Sequence, residues 1–308
     1  PIGTGQYKVS AYKQNQSLSL VKNENWKLSD IPETGNIEVL FVNSQSDVAG
    51  LVKMGEVTAV TTDVNNVGGL GIGNNIAITK YPSLQFEYIG FNFENPTLAS
   101  ANVRKAILNG IDRNEIIDNI YFGYGEKATT PVPPASYMYK MIEKKEDVMS
   151  LLYADGFNES DGVMKRETEN GEKQELRFSL LVNEENSFRV KYCEAIAKSL
   201  SGYKILVTVE SVPWEEYISR IESGKFEMFA GSYEFSANLD FSFMLGTQGI
   251  EEGTNYLGYS SAAMDNALLK IQKADSSEAI IEAYGKFQDV FMDEIPVAGI
   301  CFLDRALV

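Results

Sequence analysis

Residues 91–134 constrain the fold of this chain more than any other segment, because they join an apolar strand to two short helices and a proline-rich exit. The strand reads Phe-Asn-Phe at 91–93 and stops before Pro96. Apolar residues then recur at helical spacing between 103 and 111, and again between 116 and 120. Strands alternating with helices in this way indicate an α/β chain.

The ends of these two helices carry residues with specific backbone preferences. Gly110 is expected to end the first helix in the left-handed conformation, which costs glycine least. Asp112 and Glu115 have the spacing of a capping box for the second helix, and Gly123 is expected to end it.

Composition indicates a folded protein with a sizeable core. Of the 308 residues, 44% are hydrophobic and 11% aromatic, which is far from the composition of a disordered chain. The formal net charge is −16. Such an acidic balance argues against nucleic acid or an anionic membrane surface as the partner.

The chain has no histidine, and this limits its chemistry sharply. Serine–histidine and cysteine–histidine machinery cannot be assembled from it, nor can imidazole-ligated zinc, haem or nickel sites.

Cys193 and Cys301 lie in apolar patterns and are expected to be buried thiols. The glycine-rich run at 68–73 lacks the spacing of a dinucleotide-binding loop. Adjacent carboxylates such as Glu215 and Glu216 point apart on a helix and are expected to be solvated. We therefore expect no enzyme activity, no cofactor and no metal site.

Strands and helices alternate through the rest of the chain. Strands are predicted near 7–12, 17–21 and 37–42, and a helix near 49–55. A strand at 176–182, a helix at 187–200 and a strand at 203–212 predict a βαβ unit. The remaining predicted elements are a helix at 147–154, a type I′ hairpin turn at Asn170-Gly171, a helix after Pro213, a strand at 226–233, helices at 262–273 and 278–292, and a final strand after Pro296.

Motifs along nearly the whole chain follow the order found in one known family. They are Gly3-Thr4-Gly5-Gln6-Tyr7, Met54-Gly55-Glu56-Val57-Thr58, Asn102-Val103-Arg104-Lys105-Ala106, Ile111-Asp112-Arg113, Pro131-Val132-Pro133-Pro134, Tyr259-Ser260 and Asp293-Glu294-Ile295-Pro296. Through them the chain resembles the family 5 extracellular solute-binding proteins, which are the peptide, dipeptide and nickel receptors of ABC importers. Gln6 stands where the family usually has proline, and Thr58 where it has aspartate.

The resemblance implies an α/β, two-lobed periplasmic-binding-protein-like fold of the large peptide-receptor type (class II). Matched to it, the chain corresponds to the C-terminal two-thirds of a member. Residues 1–88 would be a partial first lobe, 89–297 a complete second lobe, and 298–308 a return strand to the first lobe. Hinge strands are expected near 86–93 and 296–301.

The implied function is the extracytoplasmic substrate-binding component of an ABC importer, lipid-anchored in the full-length protein, which traps a peptide or peptide-like solute between its lobes. Its partners would then be the solute and the permease subunits, with no nucleic acid and no cofactor. A ligand-sensing domain of a regulator is the alternative, because family-like modules occur there too.

The resemblance also places candidate ligand-binding residues on the strand at 226–233 and in the loop that follows. Family receptors pair this strand with the peptide backbone and use a following carboxylate for the α-amino group. The candidates placed in this way are Gly231, Tyr233, Phe235, Asn238 and Asp240, and Trp214, in the helix after Pro213, is a further pocket candidate with core packing as its alternative. Asp240 is the expected ammonium anchor and Glu234 its reserve. Core packing of the aromatic residues, and a capping role for Asp240, are the alternatives from local sequence.

Overall fold

The computed structural model describes residues 3–28, 32–67, 70, 76–142 and 145–308. The chain divides into two compact units, Pro1–Ile78 with Leu307–Val308, and Thr79–Ala306. This division rests on packing alone, so the lobe boundaries expected at 88/89 and 297/298 stay predictions. Most of the glycine-rich run at 68–73 lies outside the described residues.

The smaller unit contains an antiparallel meander followed by a helix. Its first three strands are β1 Tyr7–Lys13, β2 Ser17–Lys22 and β3 Asn36–Leu40, paired in that order. Helix α1 Gln45–Met54 begins at Ser44, whose hydroxyl accepts the Asp47 N–H, and ends at Gly55 with a φ of 73°. β4 Thr61–Asp63 and α2 Val64–Val67 follow. The strands and the helix predicted here are confirmed.

The larger unit is built on a mixed sheet. Its sheet strands are β5 Thr79–Phe91, β6 Gly125–Lys127, β10 Arg177–Asn183, β11 Leu206–Val212, β12 Met228–Glu234 and β13 Val297–Leu307. The order across the sheet is β11-β10-β12-β5-β13, with β6 pairing β13. β10 runs parallel to both β11 and β12, and β12 runs antiparallel to β5. A separate antiparallel sheet consists of β7 Asn158–Ser160, β8 Val163–Glu167 and β9 Lys173–Glu175.

Helices cover this framework. They are α3 Ala101–Gly110, α4 Arg113–Glu115 continuing into a π-helical turn at Ile116–Ile120, α5 Val148–Ala154, α6 Ser187–Ser201, α7 Trp214–Glu222, α8 Ser242–Leu245, α9 Gln248–Glu251, α10 Ala262–Lys273 and α11 Ser277–Glu294. The predicted βαβ unit is confirmed as β10-α6-β11, with every residue of β10 paired in parallel to β11. α6 packs on it because Tyr192, Cys193, Ile196 and Leu200 recur on one face.

Three details of the predicted turns and helix ends are wrong. Gly110 is helical rather than left-handed. A Cβ at this position would lie 2.8 Å from Leu200 Cδ2, so the close packing of α3 against α6 explains why the residue is a glycine. Asp112 does accept the Glu115 N–H, but its own N–H donates to Ser199 Oγ, so the reciprocal half of the capping box is missing. The hairpin at 168–172 has a left-handed residue only at Gly171, which rules out type I′.

Cys193 and Cys301 are buried free thiols, as predicted, and burial raises the pKa of each well above its usual value. None of the helices in the described ranges is long and apolar enough to cross a membrane.

Candidate functional site

A cavity of about 350 Å³ lies at the C-terminal end of β12, between this strand and α7. We call it the aromatic cavity after the seven aromatic side chains in its wall: Tyr88, Trp214, Tyr217, Phe229, Tyr233, Phe243 and Tyr256. Ile218, Met244 and Thr254 are also part of the wall. Three of the predicted site residues, Trp214, Gly231 and Tyr233, meet here.

Gly231 allows the floor of the aromatic cavity to form. It faces Tyr88 across the antiparallel β12–β5 pair, and a Cβ at this position would lie 2.6 Å from Tyr88 Cζ. The Tyr88 ring therefore lies directly over the Gly231 backbone. Burial raises the pKa of the Tyr88 phenol, which keeps the hydroxyl neutral beneath the cavity.

The backbone of Ser232 gives this end of β12 a free edge. Phe235 donates its N–H to the carbonyl of Leu84 in β5, and neighbouring residues of a strand point their backbone groups alternately to its two sides. Ser232 therefore points its N–H and C=O away from β5. On that side, the pairing of β12 with β10 ends at Phe229. The carbonyl of the next residue, Ala230, accepts the Tyr217 hydroxyl at 2.7 Å. Within the described part of the chain, Ser232 is the first residue of β12 whose outward backbone groups have no partner on that side.

One charged residue of the described part of the chain, Arg189, lines the aromatic cavity, and it is already paired. Its Nε and Nη2 donate to both carboxylate oxygens of Glu87 at 3.0 and 2.9 Å. Tyr192 also donates to Glu87, which is 1% exposed. Burial alone would lower the pKa of Arg189, but the attraction and hydrogen bonds of Glu87, together with the nearby phenols of Tyr192 and Tyr121, raise it. The pair leaves the cavity wall without an unbalanced charge.

Half-exposed aromatic rings surround the opening of the aromatic cavity. Trp214 is 50% exposed and stacks on Tyr217, with ring centroids 5.6 Å apart and planes 24° apart. Tyr233 is 41% exposed and packs on Phe243, with centroids 4.6 Å apart. Tyr256 is 43% exposed. The site therefore offers flat apolar faces to solvent beside a free strand edge.

The other candidate residues lie apart from these. Asn238 and Asp240 line a second cavity of about 360 Å³ together with Tyr137 and Tyr284. Asp240 Oδ1 accepts the Ser242 N–H at 2.9 Å, so part of its carboxylate caps α8. The reserve anchor Glu234 forms a 2.9 Å ion pair with Arg305.

Phe235 lies in the core between the two cavities. It is 3% exposed, and its ring centroid is 5.0 Å from those of Tyr233 and Phe241. Phe241 in turn lines the second cavity. The ligand-binding role of all six candidates stays a prediction.

Sequence reasoning missed Tyr88, Ser232 and Arg189. Ser232 stands between two predicted residues, and strand alternation could have indicated its outward backbone. Tyr88 and Arg189 reach the site only through the register of β5 beside β12 and the packing of α6, which one sequence does not reveal.

Curated relatives match almost the whole chain, although the chain spans only about 55% of their length. The oligopeptide-binding protein AppA of Bacillus subtilis is 21% identical over 307 residues, or 96% of this chain and 55% of the relative. The peptide transport periplasmic protein SapA of Haemophilus influenzae is 25% identical, covering all of this chain and 54% of the relative.

Solved structures share the fold. Bacillus subtilis AppA in complex with a nonapeptide superposes with a TM-score of 0.71 at 19% identity, over 100% of this chain and 62% of that one. The Listeria monocytogenes substrate-binding protein CtaP gives a TM-score of 0.77 at 17% identity and 61% coverage of that chain. The predicted mixed α/β fold of two-lobed peptide-binding proteins is thereby confirmed. Residues 1–253 match the model of the bacterial extracellular solute-binding proteins, family 5 Middle. The chain belongs to the family 5 bacterial extracellular solute-binding proteins.

Proposed function

We propose that this chain is part of the substrate-binding component of an ABC importer and that its solute is a short peptide or a peptide-like molecule. One observation carries the proposal: the free backbone edge at Ser232 lies beside the aromatic cavity. An extended peptide can add to a strand edge through its main chain while one of its side chains enters a neighbouring pocket. The relatives named as oligopeptide- and peptide-transport proteins support the same class of solute.

In this proposal the protein binds and releases its solute without chemical change. The peptide amide would accept from and donate to Ser232, and Trp214 and Tyr233 would contact the adjoining side chain. Main-chain pairing supplies affinity that does not depend on the peptide's sequence. The absence of histidine from the sequence and the buried thiols support a role without catalysis.

Location and partners follow from the family as part of the proposal. The protein would act outside the cytoplasmic membrane and deliver its solute to permease subunits, and lipid anchoring stays a prediction. The family description as extracellular, and a relative described as periplasmic, support this placement.

Calorimetry on the full chain tests the proposal. Tripeptides such as Ala-Phe-Ala are expected to bind at one site, whereas the free amino acids of the same composition bind much more weakly because they cannot pair along Ser232. Binding of a non-peptide solute, with no heat from any peptide of two to five residues, would contradict the proposed solute class.

A further inference from the structure

We infer that the aromatic cavity selects the side chain of the bound solute, accepting a neutral aromatic or large aliphatic group and rejecting a charged one. This inference rests on the proposed function and names the class of peptide that the site prefers. It follows from the shape, the wall chemistry and the charge balance of the cavity.

The size of the aromatic cavity fits part of a ligand rather than a whole peptide. Pockets that enclose drug-sized molecules range over roughly 300–1,000 Å³, and this one, at about 350 Å³, lies at the lower end of that range, below what a tripeptide would fill. A peptide lying along Ser232 would therefore place one residue in it. Because Ser232 itself lines the cavity, the distance from the paired backbone to the pocket is that of a single side chain.

The wall favours apolar and aromatic guests. The stacked pair of Trp214 and Tyr217 forms one side, and Tyr233 with Phe243 forms another. Ile218 and Met244 complete the lining between aromatic rings. Aromatic side chains pack on such surfaces in offset or edge-to-face arrangements, and aliphatic ones bury area against them.

Among the described residues that line the wall, none can neutralise a charged guest. The guanidinium of Arg189 is held by both oxygens of Glu87, so neither partner is available without breaking a buried ion pair. The carboxylates of Glu234 and Glu185 are engaged elsewhere, since Glu234 pairs with Arg305 and Glu185 accepts the Trp214 backbone N–H, and Asp240 lines the second cavity. A cation–π contact with these rings would offset only part of the free energy that an ammonium group loses when it leaves water.

The experiment compares tripeptides Ala-X-Ala on the full chain by calorimetry, with X as Phe, Leu, Gly, Lys or Glu. We expect Phe and Leu to bind at least about tenfold more tightly than Lys or Glu, a difference of about 1.4 kcal/mol. Equal affinity for Phe and Lys, or for Phe and Glu, would overturn the inference while leaving peptide binding intact.

Two variants and one control variant locate the preference. Tyr233→Ala is expected to weaken the Phe peptide about tenfold and the Gly peptide less than threefold, because only the former uses the ring. The control variant, Tyr153→Ala, removes a tyrosine that is 55% exposed on α5 and is expected to change the affinity for neither peptide. Ile218→Glu adds a carboxylate to the wall and is expected to strengthen the Lys peptide relative to wild type. A Tyr233→Ala loss that is equal for Phe and Gly would contradict selection by the cavity.

A capped single amino acid, which is shorter than any peptide solute, separates the inference from the proposed function. In a Trp26→Phe background, Trp214 is the remaining tryptophan of the two in the chain. Its fluorescence is expected to change with N-acetyl-phenylalanine amide and not with N-acetyl-lysine amide. If the phenylalanine amide binds but no tripeptide does, the cavity preference is supported and the proposed peptide function is contradicted. If neither the phenylalanine amide nor any tripeptide binds, the cavity preference and the peptide function are both contradicted.

Discussion

At the scale of single residues, Arg104 shows how the larger unit fixes the start of its last long strand. The side chain is 3% exposed, and its guanidinium donates to four backbone carbonyls. These belong to Leu98, Ala99, Glu294 and Ile295. Ile295 is in the left-handed region at a φ of 44°, which is unfavourable for a β-branched residue. Burial lowers the pKa of Arg104 to about 10, which leaves it charged at neutral pH.

We expect Arg104→Met to reduce the free energy of unfolding by about 3 kcal/mol or more, because several buried carbonyls lose a charged donor. Urea denaturation of the full chain measures this. Arg177→Met is the control: that guanidinium is largely exposed in its pair with Glu175, so its loss is expected to stay within about 0.5 kcal/mol. Similar small losses for both variants would show that Arg104 does not hold the α11–β13 junction.

Asp240 is the second residue with a testable role. If it receives the ammonium of the solute, Asp240→Asn weakens a free-amine tripeptide about tenfold, since hydrogen bonds to charged groups contribute roughly 1.5–3 kcal/mol. An N-acetylated tripeptide is expected to be almost unaffected. Equal losses for both peptides in calorimetry would show that Asp240 acts only through its bond to the Ser242 N–H.

At the scale of elements, what the sequence allows one to predict depends on how local the signal is. Apolar spacing located α6 and β10, because each of these two elements buries its own periodic face. Gly110 was misread because its role depends on Leu200 and Tyr203, about ninety positions away. The same limit applies to the site. The strand carrying Gly231 and Tyr233 could be predicted, whereas the Tyr88 floor and the Glu87–Arg189 pair depend on tertiary pairing.

Two helical glycines give a matched test of this distinction. Gly110 and Gly285 both lie within helices, and alanine is intrinsically better there by about 1 kcal/mol. A Cβ at Gly285 meets nothing within 4 Å, so Gly285→Ala is expected to stabilise the protein by about 0.5–1 kcal/mol. Gly110→Ala is expected to destabilise it by about 1 kcal/mol or more, because the Leu200 side chain must move. Stabilisation by both substitutions, measured by thermal unfolding, would contradict the close packing of α3 on α6.

At the scale of the whole molecule, buried phenols link stability to alkaline pH. Burial raises the pKa of six tyrosines in the described part of the chain: Tyr88, Tyr121, Tyr192, Tyr217, Tyr259 and Tyr284. For Tyr284 the pKa rises to about 12. In the unfolded chain these groups lose their protons near pH 10, so the unfolded state binds fewer protons than the folded one above that pH. The contribution of these tyrosines to the free energy of unfolding is therefore complete below about pH 10 and is lost as the pH rises further.

We expect alkaline unfolding to be cooperative, with the tyrosinate absorbance of the buried group rising together with the loss of helical circular dichroism. Complete titration of all tyrosines with the circular dichroism unchanged would contradict the burial described for the six.

The central claim is that a peptide pairs with the backbone edge of Ser232 and places a side chain in the aromatic cavity. A crystal structure of the full chain grown with Ala-Phe-Ala measures this most directly. We expect the peptide N–H and C=O within about 2.7–3.2 Å of the Ser232 carbonyl and amide, with the phenyl ring between Trp214 and Tyr233. A peptide that leaves the Ser232 backbone unpaired, or whose phenyl ring lies outside the aromatic cavity, would contradict the account.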